Sequence, residues 1–168
     1  MTEHVSVALD LNLQNTFADA LPELHVAWKG AGVPAPEIVA ANISLAAELS
    51  LDPKLLESPE GIEIVAGNVP PTGSLPTAKA YAGHQFGGYS PTLGDGRALL
   101  LGETVDGHGV RRDLHLKGSG RTPFARRGDG KAELAPMLRE YVMAEAMHAL
   151  NIPTTRALSV VATGELVR

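Results

Sequence analysis

The chain has 168 residues, 44% of them hydrophobic, with mean hydropathy near zero and a net charge of −5, which is enough for one ordinary domain with its own core and excludes a wholly disordered polypeptide. No apolar run approaches the ~18 residues that span a bilayer, Met1–Asp10 lacks a basic stretch leading into an apolar one, and there is no cysteine; the expectation is a soluble, cytoplasmic protein without membrane contact, disulfides, thiolate metal sites or a thiol nucleophile. Charge is uneven, −8 over residues 1–96 and +3 over residues 97–168, so either the second half meets a small polyanion or both halves carry solvated charged faces, while the acidic total and 4% aromatic content exclude nucleic acid as the expected partner.

Asn15 to Leu21 reads as a short helix stopped by Pro22, and Pro34-Ala-Pro36 precedes an apolar run, Ile38 to Leu51, that reads as a second helix. Asp52 is a good N-cap with Pro53 in the first helical position, so another short helix starts there. Gly67 to Pro76 is a connector rich in proline and glycine. Residues 1–76 are thus expected to be a helical segment with its connector, and residues 77–168 a separate lobe.

Residues 83–130 hold 12 of the 18 glycines, marking backbone that turns sharply or comes close to something. Within them Arg97–Glu103 and Arg111–Lys117 predict two strands joined by the turn Asp106-Gly-His-Gly109. Leu114 and Leu116 fall on one face of the second strand, His115 and Lys117 on the other. Pro136 opens a helix to about Leu150, which Asn151-Ile-Pro153 stops. Arg156–Ala162 is a third strand, and Thr163-Gly164-Glu165 turns into a last one beginning at Leu166-Val167-Arg168. This order predicts an α+β fold, an antiparallel sheet with one helix packed across it, and not a doubly wound parallel sheet.

Lys117 ends a strand and is followed at once by Gly118-Ser119-Gly120-Arg121. A lysine there can meet a phosphate as a point charge while the glycines let backbone amides approach; it also reads as a surface lysine before a turn. A Walker loop needs its glycines before the lysine, and Pro123 stands where a dinucleotide fingerprint wants glycine, so both those folds are disfavoured. Glu140 shares a helical face with Pro136, Met143, Met147 and Leu150, an apolar stripe in which a carboxylate needs a cation. Lys117 is the natural partner, and a strand lysine paired with the glutamate of the next helix is the phosphate-positioning device of protein kinases. Otherwise Glu140 turns to the rim or pairs with Arg139 or Arg156.

Two tracts flank Lys117, Gly94-Asp95-Gly96-Arg97 and Gly128-Asp129-Gly130-Lys131. Each sets glycines around an aspartate before a cation, offering amides and charge to phosphate oxygens or a carboxylate to a ribose hydroxyl. Arg121, Arg126 and Arg127 add to the positive field. The six histidines show no metal-ligand spacing, and His84 reads as a packed, hydrogen-bonded loop residue.

Tyr81-Ala-Gly-His-Gln-Phe-Gly87, Leu93-Gly-Asp-Gly-Arg-Ala98, Leu116-Lys-Gly-Ser-Gly-Arg-Thr-Pro123, Gly128-Asp-Gly130, Leu138-Arg-Glu140 and Glu145-Ala-Met-His-Ala-Leu150 followed by Ile152-Pro-Thr-Thr-Arg-Ala157 closely resemble the selenoprotein O family. Matches run in order from about Asn15 to Arg168 and cover the opening third of much longer family members. The resemblance implies a kinase-like fold, here its N-lobe without the second lobe, that binds ATP in reversed orientation and transfers AMP to a Ser, Thr or Tyr hydroxyl of a target protein. It implies ATP contacts from Gly94, Gly96, Arg97, Lys117, Asp129 and Gly130, with Glu140 as the partner of Lys117. It also implies Mg2+, whose ligands, like the catalytic residues, are expected outside this chain, so the chain alone is expected not to turn over. Two departures lie beside the expected phosphate loop: His115 stands where glutamine is common, and Phe124-Ala-Arg-Arg127 replaces the usual Tyr-Ser-Arg-Gly. The alternative is a non-catalytic nucleotide-binding or protein-docking module.

Overall fold

A computed structural model describes residues 11–166. Met1–Asp10, where no leader is expected, lie outside the described residues, as does most of the strand expected from Leu166. The elements run α1 (Thr16–Ala20), β1 (His25–Ala27), β2 (Glu37–Ala41), α2 (Ile43–Glu48), α3 (Pro59–Ala66), β3 (Thr77–Lys79), β4 (Gly83–Gln85), β5 (Gly88–Ser90), β6 (Ala98–Val105), β7 (Arg111–Lys117), α4 (Leu134–Ala149) and β8 (Ser159–Ala162), with 3-10 turns at Pro22–Leu24 and Pro53–Glu57. The result is α+β, and every strand pair is antiparallel.

The hairpin of β6 and β7 is the centre, and its turn forms as the Asp-Gly signal predicts. Asp106 accepts from the amides of His108 and Val110, each at 2.9 Å, and pairs with Arg112 at 2.9 Å. β6 is buried from Leu99 to Thr104 because it lies inside a sheet of order β1-β3-β6-β7. On β7 the expected alternation holds: Leu116 is buried while Lys117 is exposed. Leu99, Leu101, Leu116 and Ala78 make one core cluster; Leu45, Ala46, Leu49, Leu51 and Leu56 make a second, and Leu114 packs against both. The buried carboxylate of Glu103 accepts from the amides of Thr16 and Phe17 at 2.9 and 2.8 Å, fastening the start of α1 to the sheet.

Capping residues set the helical boundaries. Asn42 accepts from the Leu45 amide at 3.0 Å ahead of α2, Asp52 from Lys54 at 3.0 Å, and Ser58 from Gly61 at 3.0 Å ahead of α3. The short helix expected at Asp52 is thus a capped 3-10 turn. Helix α3, with Pro59 in its first turn and Gly67 closing it at φ +85°, is an element that the sequence reading missed.

Three expectations change. The run Ile38 to Leu51 is not one helix: its first part is β2, paired with β8, and helix begins only after Asn42. β-branched Ile38 and Val39 suit a strand once β8 is there to receive them. The stretch expected to be helical also contains β1, an edge strand paired with β3 of the main sheet. The third strand, β8, pairs with β2 and not with the hairpin, and α4 has no buried residue, packing against β8 instead of covering the main sheet.

Candidate functional site

Lys117 is the last residue of β7, directly opposite Ala98 in β6. Its Nζ donates to Oε2 of Glu140 on α4 at 2.7 Å, so the strand lysine and helix glutamate meet. Both side chains are about half exposed, 49% and 48%, and the expected burial of Glu140 is corrected. The apolar stripe on α4 is itself open to solvent, with Met143 60% and Leu150 69% exposed. An ion pair so exposed contributes at most about 1 kcal/mol to stability; its effect is to aim the lysine. Arg156 does not compete for Glu140, because it is taken by Glu145 at 2.7 Å and Glu48 at 3.4 Å, and among the described residues the ion-pair partner of Glu140 is Lys117, not Arg139.

Backbone hydrogen bonds bring the two Gly-Asp-Gly tracts to Lys117. The Gly118 amide donates to the Arg97 carbonyl at 2.8 Å, the Thr122 amide to the Gly96 carbonyl at 3.4 Å, and the Gly120 amide to the Gly130 carbonyl at 3.2 Å. Ser119 and Lys131 form an isolated bridge. Gly94, Gly96, Arg97, Lys117, Asp129 and Gly130 therefore belong to one knot of loops. Gly94, at φ +66°, lies under Phe124, whose ring a Cβ would meet at 2.5 Å. Gly130, at φ +73°, packs on the backbone of Gly120 and Arg121, which a Cβ would overlap. Trp28 Nε1 donates to the Arg121 carbonyl at 2.8 Å and the Ala31 amide to the Ser119 carbonyl at 2.7 Å, so the chain after β1 braces the loop, a contact with no sequence signal.

The two tracts differ in what they present. Asp95 is buried and turned inward, accepting from the Lys79 amide at 3.1 Å, and its carbonyl accepts from the Thr122 hydroxyl. Burial and the nearby Asp95 charge raise the Tyr81 hydroxyl above its ordinary value. Asp129 is exposed and accepts only locally, from the Lys131 amide at 2.9 Å. Lys131 is taken by Glu165, whereas among the described residues the guanidinium groups of Arg97 and Arg127 have no partner. His84 is an exposed residue on the β4–β5 hairpin, its ring 5.2 Å from that of Tyr89.

On the same face of β7 as Lys117, His115 Nε2 lies 3.1 Å from Lys79 Nζ, and Asp113 lies 3.8 Å from Lys79. Burial pushes the His115 imidazole below its ordinary value and the neighbouring lysine pushes it further, so it is neutral at pH 7 and accepts from the lysine. Sequence reading assigned His115 no role; only the sheet order, with β6 between β3 and β7, lets the Lys79 side chain reach across to it. Among the described residues no group of three or more His, Asp or Glu side chains could hold a metal ion, and no helix is long and apolar enough to cross a membrane. A shallow groove of about 430 Å³ lies elsewhere, on the outer face of α4, lined by Ala135, Leu138, Arg139, Val142 and Met143.

The family model described as protein adenylyltransferase SelO matches residues 7–168. The chain belongs to the SelO family. It is 63% identical over 156 residues to the protein nucleotidyltransferase YdiU of Pseudarthrobacter chlorophenolicus, covering 93% of this chain and 32% of that relative. It is 62% identical over 154 residues to YdiU of Mycolicibacterium smegmatis, 92% of this chain and 32% of the relative, and 60% identical over 157 residues to YdiU of Cereibacter sphaeroides, 94% and 32%. The chain thus spans about a third of the length of these SelO-family relatives, which are named as protein nucleotidyltransferases, so nucleotide transfer is the chemistry of the family.

Proposed function

We propose that this chain is the ATP-gripping portion of a protein adenylyltransferase, which moves AMP from ATP to a Ser, Thr or Tyr hydroxyl of a target protein. The observation that carries the reading is the Lys117–Glu140 pair at 2.7 Å, set among loops whose glycines admit backbone amides close to a ligand. Residues 77–168 would form a kinase-like N-lobe holding the nucleotide, with the described residues before it, 11–76, laid against it as a brace. Lys117, aimed by Glu140, and Arg97 would take phosphate oxygens; amides of Gly96 and Gly130 would close on the same anion, Gly94, whose amide donates to the Tyr81 carbonyl at 3.1 Å, would let the backbone approach it, and Asp129 would accept from a nucleotide hydroxyl. In the transfer the target oxygen bonds to the α-phosphorus, the bond to the bridging oxygen of the β-phosphate breaks, and pyrophosphate leaves with that electron pair. The hydroxyl proton would go to a base outside the described residues. Mg2+ would be held by ATP phosphates together with residues outside those described. These residues would therefore contribute positioning and charge stabilisation, in the cytoplasm where ATP and target proteins meet.

Titration of ATP into the chain tests this. Lys117→Ala should weaken binding at least roughly tenfold, the effect of losing one charge-assisted contact, while leaving the thermal midpoint unchanged because the pair is exposed. Equal affinities for the two proteins would remove Lys117 from the site. A protein-docking module without nucleotide affinity is the second reading, favoured by the apolar groove on α4; it requires that ATP not bind at all.

A further inference from the structure

The β4–β5 hairpin lies in the connection from β3 to β6 that also carries Gly94, Gly96 and Arg97, and its tip is unusual in two ways. Phe86 is 90% exposed and sits at φ +55°, a left-handed conformation that is costly for a residue with a Cβ. The positive φ belongs to the turn, since Phe86 and Gly87, at +55° and +78°, are the two loop residues between paired Gln85 and Gly88, but the exposed ring adds nothing to the hairpin's own packing. What the tip does is hold Arg126, 41 residues further along: Arg126 Nη2 donates to Gln85 Oε1, and the guanidinium lies over the Phe86 ring at 5.6 Å from its centroid.

The character of those partners matters. Lys117, Lys131, Lys79, Arg112 and Arg156 are each paired with a carboxylate, which cancels their charge. Arg126 is held by an amide oxygen and a ring face, both neutral, so its charge is fixed in place and left uncancelled. Arg121 is held the same way, donating to the Arg126 carbonyl at 3.2 Å. Arg126 lies in the loop that the Gly120–Gly130 hydrogen bond closes beside Lys117. A guanidinium fixed by neutral groups next to open backbone amides is preorganised for an anion, and its planar fork fits phosphate oxygens.

We infer that Arg126 is a further phosphate-contact residue of the nucleotide site, and that Gln85 and Phe86 are the positioning residues that aim it. This rests on the nucleotide reading above. The test is titration of ATP and of inorganic tripolyphosphate into the chain and its Arg126→Ala, Arg126→Lys, Gln85→Ala, Phe86→Ala and Gln85→Ala/Arg126→Ala variants. Arg126→Ala should weaken both ligands by the same factor, roughly tenfold, and Arg126→Lys should recover only part, since an ammonium cannot use the fork or lie flat on the ring. Gln85→Ala and Phe86→Ala should each weaken ATP severalfold, and Gln85→Ala should add nothing once Arg126 is gone. If Arg126→Ala binds ATP like wild type while Lys117→Ala does not, the inference falls and the nucleotide reading stands. A loss confined to ATP would make Arg126 a contact of the nucleoside and overturn the inference, and an undiminished Gln85→Ala effect in the Arg126→Ala background would overturn the positioning role. No ATP binding by the wild-type chain would remove both readings together.

Discussion

Gly130 and Gly128 stand two residues apart in one tract and carry different constraints. Both have positive φ, +73° and +111°, but a Cβ at 128 meets nothing within 4 Å, whereas at 130 it overlaps the Gly120 and Arg121 backbone. Gly128→Ala should therefore cost only the backbone strain, roughly 1–3 kcal/mol. Gly130→Ala should cost clearly more, because no flexible side chain is there to yield. Thermal denaturation of the two variants checks this, and equal losses would mean that the loop at 120–121 gives way. The sequence marks both glycines alike, since the tract is a local pattern; only the fold-back of residues 128–131 onto 118–121 separates them.

As an element, α4 is tied to the molecule by charge more than by apolar contact. It has no buried residue, yet Glu145 accepts from Arg156 Nε and Nη2 at 2.8 and 2.7 Å, with side chains only 24% and 17% exposed. The hydrogen bonds from Arg156 hold the Glu145 carboxyl at about 2, against an ordinary value of 4.5. A carboxyl lowered in the folded state stabilises it fully above the unfolded value, and that contribution is lost as pH falls from about 4.5 towards 2. Glu145→Gln should cost on the order of 2 kcal/mol at pH 7 and flatten the fall in stability through that acid window. Denaturant unfolding at pH 7, 4 and 3 measures both, and a variant with unchanged acid sensitivity would remove Glu145 as its source. Glu140→Gln, at the exposed pair, should cost no more than about 1 kcal/mol.

For the whole molecule the outer face of α4 is the distinctive surface. Val142 and Met143 are exposed there and line an apolar groove, and Leu150 and Ile152, just past the helix, are exposed as well. The chain should bind a hydrophobic dye or self-associate, and Val142→Glu with Met143→Glu should suppress this with little change in thermal midpoint, because neither side chain is packed. Undiminished dye binding by the double variant would place the apolar surface elsewhere. How such features were legible differs with range. The β6–β7 hairpin, its Asp-Gly turn, the outward face of Lys117 and the approximate length of α4 were readable, because alternation, turn residues and prolines act within a few positions. Ile38 to Ala41 was misread, because an apolar run serves helix or strand equally and its partner β8 lies far along the chain; β1 escaped notice because three residues become a strand only beside β3. The Lys117–Glu140 pair was readable as residue types on adjacent elements, whereas its exposure, the inward turn of Asp95, the bond of Lys131 to Glu165 and the hold of Gln85 and Phe86 on Arg126 were not. By itself the sequence determined the α+β class, the central hairpin and the placing of a lysine and a glutamate on adjacent elements, since these follow from local backbone preference and residue type. Only the tertiary structure decided which strands pair and which cations keep their charge, since both depend on contacts between residues tens of positions apart.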